Sequence, residues 1–150
     1  MEELYEAFFT YLEKVGEYLD RLSVLAKTKN IAAQRGDVLS VNECMREEQE
    51  ISLTLRRMEQ QRERMLTALN LRGVPLSRVP ERCPPELRQA AREAVETLLT
   101  KRDIYRSAAD AARSTLECSL HNVEKLIEAK APTGRTGPRA RGGLFTDYRT

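Results

Sequence analysis

The chain has 150 residues, with 25 Lys and Arg against 23 Asp and Glu, 41% hydrophobic residues, five Tyr, three Phe and no Trp. That length suits one domain, and so few rings among so many charges argue against an enzyme with a deep pocket, whose walls need bulky apolar and aromatic side chains. From Lys130 onward five basic residues stand against Asp147 alone, so only the tail is basic and the body lacks the positive face that nucleic-acid binding requires.

Residues 2–35 carry Leu4, Phe8, Tyr11, Leu12, Val15, Tyr18, Leu19, Leu22 and Leu25 in steps of three and four. This spacing predicts a helix with one apolar stripe. Phe8, Val15 and Leu22 recur every seven residues, with Leu4, Tyr11, Tyr18 and Leu25 on the companion position, so the packing is expected to be coiled-coil-like. Gly16 interrupts the stripe at a cost of about 1 kcal/mol relative to Ala, and a small residue there permits close approach of another helix. Gly36-Asp37 is the first break, because Gly tolerates the left-handed turn that ends a helix and Asp caps the amides opening the next.

A second helix is expected over 38–71, with Val41, Cys44, Met45, Ile51, Leu55, Met58, Met65, Leu66 and Leu69 on its stripe. Glu48 and Arg62 also fall there. Charges on a seam fix register or border a groove, and their heads are expected at a wet edge, since burying an unpaired charge is costly. Gly73, Pro75, Pro80, Pro84 and Pro85 then mark a loop of functional or mobile character, the prolines having no amide to give a helix ladder. Pro85 suits the first position of a third helix over 85–129, which places Leu87, Ala91, Ala94, Val95, Leu98, Tyr105, Ala108, Ala109, Ala112, Leu116, Leu120, Val123, Leu126 and Ile127 on its inner face. After it, residues 132–150 have no apolar period and are rich in Pro, Gly and Arg, so a disordered basic tail is expected to follow a helical domain of residues 1–131. Leu144, Phe145 and Tyr148 at the end of that tether form a candidate docking motif.

The fold expected is all-α: an elongated antiparallel bundle of three long helices. Helices of these lengths reach about 50, 50 and 65 Å, so the third overhangs its companions. Part of its stripe must bend back, meet a second copy or receive a partner, because a bare stripe in water is a liability. The candidate partner-binding residues are Ala109, Ala112, Leu116, Leu120, Val123 and Ile127.

No chemistry rises out of the polar residues. Cys44, Cys83 and Cys118 are odd in number and widely spaced, which fits reduced thiols in the cytoplasm. Cys118 and the single histidine, His121, share a helix face, but zinc needs about four ligands, so a semi-buried thiol beside an exposed imidazole is the preferred reading. No phosphate-loop or nucleophile-elbow glycine pattern is present. No catalytic residue, metal or cofactor is expected. No apolar run approaches the ~18 residues of a membrane span, and the opening Met1-Glu2-Glu3 is unlike the basic start of a secretory signal, so a cytoplasmic protein without stable membrane insertion is expected.

The layout resembles the FlgN family of flagellar export chaperones. The resemblance lies in the long first helix, the Gly36-Asp37 break, a second helix rich in Glu, Arg and Leu, the Gly73-Val74-Pro75-Leu76 stretch and Glu86-Leu87-Arg88 opening a last helix. That helix closes on Leu116, Leu120, Val123, Leu126 and Ile127, and the tail runs from Phe145 to Tyr148. Where the family often carries an Asn-Arg pair, this chain reads Ala112-Arg113. The resemblance implies a non-enzymatic chaperone that holds the amphipathic C-terminal segment of hook-associated proteins and delivers them to the flagellar export apparatus. It also implies that the last helix carries the client. A self-associating coiled-coil scaffold, with a homodimer through the surplus stripe, is the alternative reading of the same residues.

Overall fold

The computed structural model describes residues 1–130. Four α-helices account for most of them: α1 (Glu2–Gln34), α2 (Val38–Ala68), the short α3 (Val79–Arg82) and α4 (Arg88–Lys130). Single 3-10 turns at Leu76–Arg78 and Pro85–Leu87 flank α3, and among the described residues there is no strand. The tail motif of Leu144, Phe145 and Tyr148 lies outside the described residues.

The helix ends follow from backbone chemistry. After α1, Gly36 takes φ 70°, and the amides of Gly36 and Asp37 donate back to Ala33 and Ala32 at 3.2 and 2.9 Å, the paired bonds of a Schellman stop. Asp37 then caps α2: its carboxylate accepts from the Ser40 amide at 3.2 Å and from the Ser40 hydroxyl at 2.7 Å. α2 ends at Ala68 rather than at residue 71, because Asn70 adopts φ 57° and the amides of Asn70 and Leu71 turn back to Thr67 and Leu66 at 3.1 and 2.8 Å. This second Schellman stop uses Asn where the first uses Gly, and it drives Leu71 into the core.

α1 is the middle element and packs against both α2 and α4. Arg21 pairs with Glu47 at 2.7 Å and Tyr11 reaches the Met58 carbonyl, so α2 runs back along α1. Phe9 lies near Ala90, Gly16 near Lys101, and Lys27 and Asn30 near Ala108 and Ala111, so α4 runs in the same direction as α1. The shared core gathers Phe8, Leu12, Val15, Leu19 and Leu22 of α1 with Leu55 of α2 and Val95 and Leu98 of α4. Leu4, placed on the stripe by spacing, is 43% exposed, and its neighbour Tyr5 is buried in its stead.

The proline-rich segment that crosses from α2 to α4, residues 69–87, is packed rather than loose. Leu71, Val79 and Cys83 are all buried, and Pro80 and Pro85 stand in the first turns of their helical pieces, where a missing amide costs nothing. Glu48 is likewise not at a wet edge: it is 5% exposed and accepts from the fully buried Lys29 ammonium at 2.8 Å. Beside Gly16 lies a side chain and not a helix backbone: the aliphatic stem of Lys101 passes 3.2 Å from where its Cβ would stand, on the way to an ion pair with Asp20 at 2.8 Å.

Candidate functional site

The register between α1 and α4 sets the candidate face. Asn30 of α1 stands beside Ala111 of α4, and α1 ends at Gln34 while α4 continues to Lys130. At 1.5 Å per residue α4 therefore projects about 20 Å past its companions. Ala109 and Ala112 are 5% and 0% exposed, whereas no described residue after Ala112 is buried. Leu116 is half-buried, and Leu120, Val123, Leu126 and Ile127 are 50 to 62% exposed.

The six candidate residues thus divide. Ala109 and Ala112 are covered by the chain itself; their small side chains let the helices close up, and they leave the candidate surface. Leu116, Leu120, Val123 and Ile127 continue the same face of α4 in steps of four, three and four, but among the described residues no helix lies opposite them. Residues missed in the sequence join them at that end of the molecule: Ile31, Val38 and Leu39, at the α1–α2 turn, are 50, 65 and 77% exposed. The signal available for Val38 and Leu39 was their place immediately after a cap, where the first turn of α2 precedes its first buried residue, Val41.

The flank of the projecting stripe is acidic. Glu117, Glu124 and Glu128 lie in this segment with Lys125 as its one cation among residues 116–129. Cys118 and His121 are both exposed and lie on the opposite side of the helix from Leu116 and Leu120, so the thiol is not semi-buried. Cys44 and Cys83 are buried, and burial pushes both thiols up from their ordinary range. Among the described residues no group of three or more His, Cys, Asp or Glu side chains could hold a metal ion, and no helix is long and apolar enough to cross a membrane.

No protein-family model matches the chain, and no curated protein or solved structure matches it.

Proposed function

We propose that this protein is a non-enzymatic chaperone of the FlgN type, which holds an amphipathic helix of a client against the projecting part of α4. The observation that carries the reading is the exposed run Leu120, Val123, Leu126 and Ile127 on a helix whose preceding residues on the same face are buried. Helix-in-groove recognition uses anchors at this spacing. A client segment that folds on docking spends about 2–5 kcal/mol on ordering, which keeps the complex firm in storage and releasable at export. The clients implied by the resemblance are hook-associated proteins, in the cytoplasm, ahead of the flagellar export apparatus.

Charge favours a foreign helix over a second copy. With Leu120 and Ile127 on one seam position and Leu116 and Val123 on the other, Glu117 and Glu124 fall together on the flank. An antiparallel pair of copies would set this flank against itself, and a parallel pair would offer it only Ser119 and Leu126. A client helix with Lys or Arg beside its apolar seam suits the face better, and the self-associating scaffold is the weaker reading.

Copurification tests the proposal. The C-terminal fragment of a hook-associated protein is expected to be retained by the full chain, and a matched flagellin fragment is not. Equal retention of the two, or of neither, refutes the assignment.

A further inference from the structure

Arg62 sits on the stripe of α2, and docking on α4 gives it no task. It borders a partly open cavity of about 300 Å³ where every part of the fold meets. Its apolar walls include Phe8, Leu12 and Val15 of α1, Leu66 of α2, Val74 of the crossing segment and Leu98 of α4, and Tyr11 and Glu63 line it beside Arg62. The opening reaches down to Phe8, Leu12, Val15 and Leu98, which are otherwise buried in a closely packed core. It has room for about ten water-sized atoms, at the low end of small-molecule sites.

The polar end of the cavity is as specific as its apolar end. The Nε of Arg62 is buried without a hydrogen-bond acceptor. The charge of Arg62 is already met, because its terminal nitrogen lies 3.1 Å from Glu59 and 3.8 Å from Glu63, the latter also lining the cavity. What remains unmet is an N–H donor, not a positive charge. A carboxylate would be repelled by Glu63, whereas a carbonyl or ether oxygen would satisfy the donor at no electrostatic cost.

We infer that this cavity binds a small uncharged molecule with an apolar body and one hydrogen-bond acceptor, the acceptor on Arg62 Nε. Such a ligand would tie α1, α2, the crossing segment and α4 together from within. The site is independent of the α4 projection.

Three probes of similar size separate the possibilities: methyl hexyl ketone, octanoate and octane, each added to the full chain. The ketone is expected to bind most tightly, to raise the unfolding midpoint and to shift the methyl NMR signals of Val15 and Val74. It alone should move the Arg62 Nε–H signal, a readout that needs no variant. Arg62→Met is expected to weaken the ketone about tenfold or more and to leave octane unchanged. Val74→Phe, which fills the space, should abolish ketone binding while the helical signal persists. Absence of binding by all three probes, tighter binding of octanoate than of ketone, or an Arg62 signal indifferent to the ketone would each overturn the inference.

Discussion

Lys29 and Glu48 are the most consequential polar residues in the body. Their ammonium and carboxylate meet at 2.8 Å with side chains 0% and 7% exposed, and the second carboxylate oxygen of Glu48 is buried without a partner. Desolvation opposes such a pair, so its value lies in fixing the register of α1 on α2 rather than in net stability. Glu48→Ala is expected to lower the unfolding free energy in urea by about 3–5 kcal/mol, whereas the double replacement Lys29→Met with Glu48→Leu is expected to be neutral or stabilising. Only the place of Glu48 on the stripe is legible, not its burial or its partner. Lys29 continues the seven-residue series of Phe8, Val15 and Leu22, and Glu48 stands midway in the series of Val41 and Leu55. Each residue taken alone reads as a charge that should reach water; only the facing of the two series brings them together, and that is tertiary information. Gly16 gives a milder case. Its neighbour Lys101 is a flexible chain, 28% exposed, that can yield a few tenths of an ångström. Gly16→Ala is therefore expected to raise stability by about 0.5–1 kcal/mol in the same urea titration, by removing backbone entropy from the unfolded chain.

Helix boundaries depend on single residues with special backbone geometry. The Gly36-Asp37 break is legible because Gly and Asp each have a strong local preference, whereas Asn70, a weaker left-handed residue than Gly, stands between Leu69 and Leu71, whose apolar character extends the stripe three residues past the true end of α2 at Ala68. The packing of the crossing segment is illegible for a different reason. Its prolines forbid a long helix but not a packed one-turn helix, and the burial of Val79 comes from the helices it meets, not from its own sequence pattern. The cap of α2 carries a pH signature. Hydrogen bonds from the Ser40 hydroxyl and amide hold the Asp37 carboxyl below its ordinary range. A lowered folded-state value means the contribution is complete above the unfolded carboxyl range and is lost as pH falls through the folded value. Asp37→Ala should thus lower the thermal midpoint near neutral pH, and the gap between variant and parent should close in strong acid. A gap that stays constant with pH would show that the carboxylate is not the capping group.

At the scale of the whole molecule, the stripe on α4 divides into two environments. Up to Ala112 it packs on α1; among the described residues beyond, Leu116 is half-buried and Leu120 onward is exposed. The surplus length of α4 was evident from the spacing of apolar residues and from the two breaks. The division point was not, because Ala109, Ala112, Leu116 and Leu120 form one unbroken pattern and only the register with α1 decides which are covered. That register also explains why client binding should be separable from stability. Leu120, Val123 and Ile127 contribute little to the body, so replacing them by Ser should not disturb the unfolding midpoint. The most direct measurement is a titration of the C-terminal fragment of a hook-associated protein into the parent chain and into the variant Leu120→Ser, Val123→Ser, Ile127→Ser. The account predicts a loss of affinity of about a hundredfold or more at an unchanged midpoint, since each of the three buried anchors contributes on the order of 1–2 kcal/mol. Equal binding by the two proteins would contradict it.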